Sequence, residues 1–274
     1  MCHPAVTGPK NPSYCRRVTF PTVGVVGGGQ LARMMAPVAI NLGIKLHVLA
    51  EADDVSATTA ATYTVGDYID YDTLAAFAAT VDVVTFDHEH VPTQHLHRLA
   101  DAGVKLAPGP DALVYAQDKL AVRHKMAELG LPQPDWRAVT TLDELLTAGD
   151  EIGWPVVLKT PRGGYDGKGV WVLSSAEAAR EANAWFNGDH AALLVEAKVD
   201  FRSELSAQIA RSTTGETKTY PVVETIQTNG VADIVKAPAP NLDDTTANAA
   251  RQAAETIANG VGVTGMLAVE LFHT

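Results

Sequence analysis

Apolar and polar positions along this chain follow two alternating periods from Thr22 onward. Thr22 to Val26, Lys45 to Ala50 and Val81 to Phe86 are short apolar runs that read as strands, and Leu31 to Leu42 and Thr93 to Ala102 carry apolar residues at helical spacing. Strands alternating with helices imply a parallel sheet covered by helices. Pro108-Gly109-Pro110 closes this unit, and a connector helix from Asp118 to Leu129 stops at Gly130 and Pro132. A second α/β unit follows: strand Trp136 to Val139, helix Leu142 to Ala148, strands Val156 to Lys159 and Val170 to Leu173 around a glycine-rich turn, helix Ala176 to Phe186, and strand Leu193 to Glu196. The remainder is strand-rich from Ser203 to Pro238, then helix Asp243 to Asn259 and a last strand, Gly265 to Phe272. The expected organisation is a flexible tail (1–17), a first domain (18–117) and a second domain (118–274), the latter divided into a lid subdomain (about 135–198) and a C-terminal part (199–274).

Composition narrows the class. With 274 residues of which 46% are hydrophobic, the chain is expected to fold as about two globular domains, and no apolar run is long enough to span a bilayer. Cys2 and Cys15 both fall in the tail, so neither a disulfide framework nor a zinc site can be built from them, which fits a reducing cytoplasm. The net charge of −11 argues against a nucleic-acid partner. Small anions remain accessible ligands, since a few Lys, Arg and backbone N–H groups suffice to hold them.

Two glycine clusters supply such groups. Pro161-Arg162-Gly163-Gly164-Tyr165-Asp166-Gly167-Lys168-Gly169-Val170 follows the strand ending in Lys159, and a turn this rich in glycine brings backbone N–H groups against a phosphate as the tip of a hairpin lid. Its bland alternative is an ordinary glycine-rich hairpin. Gly27-Gly28-Gly29-Gln30-Leu31-Ala32 satisfies an Ala-ended dinucleotide fingerprint, with Glu51 at the end of the second strand as a ribose acceptor; tight strand-to-helix packing is the alternative. Asp87-His88-Glu89-His90 sits at the C-terminal end of a strand, where alternate residues of an extended segment point apart and cannot all converge on a metal.

The ordered combination of Gly29-Gln30-Leu31-Ala32-Arg33-Met34, Gln117-Asp118-Lys119, the lid motif from Gly163 to Gly169, and Glu196 with Glu204 resembles the N5-carboxyaminoimidazole ribonucleotide synthetases, ATP-grasp enzymes of purine biosynthesis. The likeness runs from about Val23 to Phe272. It implies an α/β ATP-grasp fold: an N-terminal Rossmann-like parallel-sheet domain, a lid subdomain and an incomplete C-terminal sheet. ATP would lie between two sheet-containing units. By resemblance, Lys119 and Lys159 meet phosphate or adenine-side groups, Gly164 to Val170 cover the phosphates, Glu196, Ala197, Lys198 and Val199 form an adenine-edge hinge, and Glu204 accepts from the ribose hydroxyls, with Gln227 as a further nucleotide contact. Gly29, Gln30, Leu31, Arg33 and Glu89 are implied substrate contacts; Asp87 stands where relatives carry a Glu.

The family's reaction joins bicarbonate to the amine of 5-aminoimidazole ribonucleotide, with ATP first converting bicarbonate to carboxyphosphate. The resemblance implies that Asp166 handles the amine proton while Tyr165 and Lys168 orient substrate, under a lid that excludes water. Glu270 matches the first Mg²⁺-binding carboxylate of the fold, whereas the Asn-Glu pair and the Arg- and His-rich segment that follow in relatives have no counterpart here. That pattern reads as a truncated synthetase, with low turnover and with Met266 and Leu267 partly uncovered on the last strand. The implied protein is a cytoplasmic ligase, with a homodimer as the oligomer to test. Two other readings stay open: a non-catalytic nucleotide-binding fragment of the same family, and a dinucleotide oxidoreductase resting on Gly27, Gly29, Ala32 and Glu51.

Overall fold

The computed structural model describes residues 20–164, 168–188 and 190–274. In the first unit, β1 (Thr22–Val26), β2 (Lys45–Ala50), β3 (Thr62–Val65) and β4 (Val83–Phe86) form a parallel sheet in the order β3-β2-β1-β4, with α1 (Gln30–Asn41) and α2 (Tyr71–Ala78) as crossovers and α3 (Thr93–Asp101) following β4. Neighbouring residues point to opposite faces, and both faces are covered. Val25 and Val48 pack with Ala32 of α1, while Val26 and Leu49 pack with Leu74, Phe77, Leu96 and Leu99. Burial on both sides is why these strands read as continuous apolar runs.

Two elements of this unit escaped the pattern. All four residues of β3 are exposed, so this edge strand carries no apolar signal and forms only by pairing with β2. Helix α2 begins at Asp70, whose carboxylate accepts from the N–H and hydroxyl of Thr73, a cap that was legible but unused. The Pro-Gly-Pro expected to close the unit instead opens a helix, α4 (Pro110–Gln117), with Pro110 in its first turn. Asp118 then caps α5 (Lys119–Glu128), accepting from Leu120 N–H at 3.0 Å and Ala121 N–H at 3.1 Å.

The second sheet is antiparallel, in the order β5-β8-β6-β7, from β5 (Trp136–Val139), β6 (Val156–Lys159), β7 (Val170–Leu173) and β8 (Leu193–Ala197). One face packs on α6 (Leu142–Ile152) and α7 (Ala176–Glu181) through Leu145, Ala179, Val156, Leu158, Leu193 and Val195. The helix expected over Ala176 to Phe186 is α-helical only to Glu181 and continues as a 3₁₀ turn over Ala182–Asn187.

The third sheet centres on β9 (Ser203–Arg211). It pairs along its whole length with β13 (Gly265–His273), and its other edge meets β10 (Thr217–Thr219) and β11 (Val223–Thr228), with β12 (Val231–Lys236) outside β11. Helix α8 (Asp244–Gly260) lays Ala250, Ala254 and Ala258 on Leu205, Ala207, Ile209 and Leu267. Leu267 is therefore packed, and of the two apolar residues expected to be uncovered on the last strand only Met266 is exposed.

Candidate nucleotide site

Three elements converge on one buried carboxylate. Glu196 of β8 is 2% exposed. Its Oε2 accepts from Arg123 Nε at 3.0 Å and Nη2 at 2.6 Å, and its Oε1 accepts from Lys159 Nζ. Glu196 lies opposite Val157 on β6, so it shares a sheet face with Lys159 and turns away from the core face of Val156 and Leu158. Glu196 is therefore not an exposed strand acid. Its side chain is a buried anchor for two cations, and only its backbone belongs to the expected hinge.

Lys119 enters from the start of α5. Its Nζ donates to the Gly164 carbonyl at 3.3 Å, while its own N–H donates to Pro161 O at 2.9 Å. Burial, and then the Lys159 charge, push its pKa below the ordinary lysine value, with Glu89, Asp118 and Glu196 acting in the opposite sense. Lys119 and Lys159 thus sit close enough to repel one another, with Lys119 against the start of the glycine-rich loop at Gly164. Two ammonium groups held together against their mutual repulsion favour an anionic ligand.

The loop is pinned at both ends. Thr160 N–H donates to Gly169 O at 2.9 Å, and Arg162 Nε donates to Asp118 Oδ2 at 2.9 Å. Gly169 has φ of +68° and leaves no room for a side chain, since a Cβ there would lie 2.3 Å from Thr160 Oγ1. Lys168 is exposed next to it. Tyr165, Asp166 and Gly167 lie outside the described residues.

The hinge backbone is partly committed. Ala197 N–H donates to Asp135 O and Lys198 N–H to Pro155 O, so a ligand edge would meet the carbonyl groups and the half-buried Val199 rather than those two N–H groups. On the third sheet, Glu270 lies opposite Ser206 and Phe272 opposite Glu204, which puts Glu204, Ser206 and Glu270 on the face turned away from α8. Glu204 is half-buried and Glu270 exposed. Oxygen donors on one face suit a hard cation that shares its remaining coordination with phosphate oxygens. Among the described residues no three His, Cys, Asp or Glu converge into a cation site, so Glu270 has no protein trio around it. Gln227 is exposed, beside the register shift between Ile226 and Gln227.

At the C-terminal end of the parallel strands, the first glycine cluster already faces two acids. Gly28 N–H donates to Glu51 Oε2 at 3.1 Å, and Asp87 accepts from the N–H groups of Gly29 and Ala32. A Cβ on Gly28 would lie 2.4 Å from Val55, and one on Gly29 would lie 2.4 Å from Asp87 Oδ2. Packing and internal carboxylates account for these glycines, and a dinucleotide pyrophosphate there would have to displace both acids. Gln30, Leu31 and Arg33 are exposed on the first turn of α1. Burial raises the Asp87 carboxyl above the ordinary range, and burial followed by the neighbouring His90 lowers the His88 imidazole. Glu89 is half-buried, and its carbonyl accepts from Gln117 Nε2 at 2.8 Å. Gln117 also donates to Val91 O and accepts from Thr93 Oγ1 at 2.6 Å, tying the Glu89 segment to the residues just before Lys119.

Arg123 was missed by sequence reasoning. Its signal was a basic residue four positions after Lys119, on the same face of α5. A cavity of about 430 Å³ lined by Tyr71, Ala75, Val81, Leu99 and Lys105 lies at the opposite edge of the parallel sheet, and none of the expected site residues lines it.

A parallel-sheet unit followed by two antiparallel sheets, with lysines beneath a glycine-rich hairpin, defines an ATP-grasp protein. The family model for the ATP-grasp domain matches residues 124–274, and that for the ribonucleotide synthetase preATP-grasp domain matches residues 20–117. The N5-carboxyaminoimidazole ribonucleotide synthase of Mycobacterium bovis is 44% identical over 271 residues, covering 98% of this chain and 63% of that protein. A solved ADP complex of an N5-carboxyaminoimidazole ribonucleotide synthetase superposes with a TM-score of 0.86 at 34% identity, covering 94% of this chain and 68% of the other. The Aspergillus clavatus enzyme in complex with ADP and 5-aminoimidazole ribonucleotide superposes with a TM-score of 0.80 at 30% identity, covering 92% and 66%. The chain belongs to the N5-carboxyaminoimidazole ribonucleotide synthase family. It spans 63% of the length of the mycobacterial relative.

Proposed function

We propose that this chain carries the nucleotide-binding part of an ATP-dependent carbon–nitrogen ligase that carboxylates 5-aminoimidazole ribonucleotide with bicarbonate. The observation that carries this reading is that Lys119, hydrogen-bonded to the Gly164 carbonyl, lies near Lys159 at the end of the strand that leads into the glycine-rich segment. Two cations from different elements, covered by glycines that admit close backbone approach, suit a polyphosphate. Solved relatives bind ADP, and one binds ADP together with 5-aminoimidazole ribonucleotide.

In this reading Lys119, Lys159 and the Gly164 to Val170 loop hold the phosphates, residues 196–199 border the adenine, and Glu204 accepts from the ribose, with Gln227 at the rim. Glu270 would hold Mg²⁺, which supplies charge neutralisation for the phosphates when bound. Glu89 and the first turn of α1, with Gly29, Gln30, Leu31 and Arg33, would border the ribonucleotide. A substrate phosphate there has to use the N–H groups of Gln30 and Leu31 or displace Asp87 from Gly29 and Ala32. Tyr165, Asp166 and Lys168 are assigned to substrate orientation, with Asp166 taking the amine proton. Carboxyphosphate is the expected intermediate, and exclusion of water from it is the task of the lid.

No described helix is long and apolar enough to cross a membrane. A cytoplasmic location accords with this proposal, and the domain division near Gln117 and Asp118 belongs to it as well. A homodimer is part of the same proposal: Met34 and Val38 on α1 and Leu42 just after it form an exposed apolar stripe that suits self-association.

Calorimetry with ATP, ADP and NAD tests the nucleotide class, and bicarbonate-dependent phosphate release with 5-aminoimidazole ribonucleotide tests the reaction. Binding of ATP and ADP with no binding of NAD is expected. Tight NAD binding with neither adenine mononucleotide bound would return the chain to the oxidoreductase reading. Sedimentation velocity reads the oligomeric state.

A further inference from the structure

The Arg123–Glu196–Lys159 arrangement raises a question that the nucleotide reading leaves open. A lysine paired one-to-one with a buried carboxylate is, to an incoming phosphate, almost neutral. Lys159 does donate to such a carboxylate, since Glu196 is 2% exposed and takes the ammonium on Oε1. Arg123 meets the same carboxylate on its other oxygen, through both Nε and Nη2. Two cations against one carboxylate leave a positive charge in excess on the sheet face that carries Lys159.

We propose that Arg123 is a positioning residue for nucleotide binding: by holding and neutralising Glu196, it keeps Lys159 available to ligand phosphate. The inference rests on the nucleotide reading above and goes beyond it, since Arg123 itself acts only through Glu196.

The local structure is built for this. Arg123 follows Lys119 by one helical turn on α5, so one helix face delivers Lys119 to the loop and Arg123 to the sheet. The Arg123 carbonyl accepts from Gln133 Nε2 at 3.1 Å, and the next residue, His124, meets Trp136 of β5 edge-on with ring centroids 4.9 Å apart. These contacts fix the helix against the strand that borders β8. Arginine suits the role better than lysine, because two N–H groups of its planar fork address one oxygen and it stays charged when buried. Without Arg123, the contact that Lys159 already makes to the buried Glu196 becomes one-to-one, and the pair presents no net charge to phosphate.

The test uses the full chain and three ligands, ATP, ADP and adenosine, with affinities read by calorimetry. Arg123→Met is expected to weaken ATP and ADP by about 10-fold, the order of one unit charge acting through a partly screened site, while adenosine affinity changes less than about 2-fold. Arg123→Lys should recover most of the ATP affinity. The decisive variant is Arg123→Met combined with Glu196→Gln. Removing the carboxylate as well leaves Lys159 with no anion to satisfy, so ATP affinity should return to within about 3-fold of the unsubstituted chain. That double variant buries no unpaired carboxylate and keeps the test decisive if Arg123→Met alone does not fold.

Equal loss of ATP and adenosine in Arg123→Met would make Arg123 a packing residue and overturn the proposal. So would unchanged ATP affinity in Arg123→Met, or a folded double variant that remains about 10-fold weaker for ATP with adenosine intact. Failure of the unsubstituted chain to bind ATP or ADP would instead overturn the nucleotide reading, and this inference with it.

Discussion

Lys119 Nζ reaches the carbonyl oxygen of Gly164, 45 residues further along the chain, at 3.3 Å. The connector helix and the glycine-rich loop are thereby joined through a side chain whose pKa lies below the ordinary lysine value. Lys119 therefore loses its charge at a lower pH than an ordinary lysine would. ATP affinity is expected to decline as pH rises through that depressed value, and Lys119→Met should lower affinity by about 10-fold at neutral pH and abolish this alkaline limb. Calorimetry across alkaline pH on both proteins checks it; an alkaline limb that survives in the variant would assign the titration elsewhere.

Gly169 and Gly163 separate conformational strain from steric fit. Both have positive φ, +68° and +73°, but a Cβ on Gly169 would meet Thr160 Oγ1 at 2.3 Å whereas Gly163 has open space around it. Gly163→Ala should cost about 1 kcal/mol and Gly169→Ala about 2–4 kcal/mol of stability. Adding Thr160→Ala to Gly169→Ala should return part of the difference. Denaturant melts of the four proteins measure it, and equal costs for the two glycine variants would remove the packing argument.

Asp87 makes the stability of the first unit depend on acid. Because burial raises its carboxyl above the ordinary value of 3.8, the folded chain holds that proton at pH values where the unfolded chain has released it. Its contribution to stability is fully present at low pH and is lost as pH rises from the ordinary value through the raised one. Asp87→Asn keeps an oxygen that can accept from the Gly29 N–H and removes the titration. Its melting temperature should equal or exceed that of the unsubstituted chain at neutral pH, with the margin closing under acid. A margin that is negative at pH 7 and stays constant under acid would contradict the assignment.

Glu204 and Glu270 share a sheet face but are assigned different partners. Glu270→Gln should reduce the gain in ATP affinity on adding Mg²⁺ while leaving metal-free binding within about 2-fold, because the metal accounts for its role. Glu204→Gln should weaken adenosine and ATP together. Calorimetry with and without Mg²⁺ distinguishes them, and identical profiles for the two variants would collapse the distinction.

Most of the architecture was legible because its strands are buried on one or both faces. The ranges of β1, β2, β5 and β7 follow directly from apolar runs such as Val23 to Val26 and Val170 to Leu173. β3 was not legible, since Thr62 to Val65 is exposed and its place is set by a neighbour rather than by its own side chains. At the candidate site the loop glycines and both lysines stand out by residue type and order. The link from Arg123 to Glu196 does not, because it joins residues 73 positions apart and depends on which face of β8 turns toward α5. Glu51 stood out beside the first glycine cluster, but not that it bonds Gly28 itself or that Asp87 meets Gly29, since a fingerprint of glycines carries no record of what faces it.

Gln117, Asp118 and Lys119 are consecutive and between them grip three bodies: Gln117 the backbone of Glu89 and Val91, Asp118 the start of α5 and, through Arg162, the glycine-rich loop, and Lys119 the same loop at Gly164. Three neighbouring residues therefore serve as a single axle on which the Glu89 segment, the connector helix and the glycine-rich segment are mounted. Asp118 is extended between α4 and α5, so inserting one residue here would shift α5 against α4 and unseat at least one of the three mountings, however conservative its chemistry. The spacing of this tripeptide, as much as its composition, sets the distance between the two candidate ligand regions.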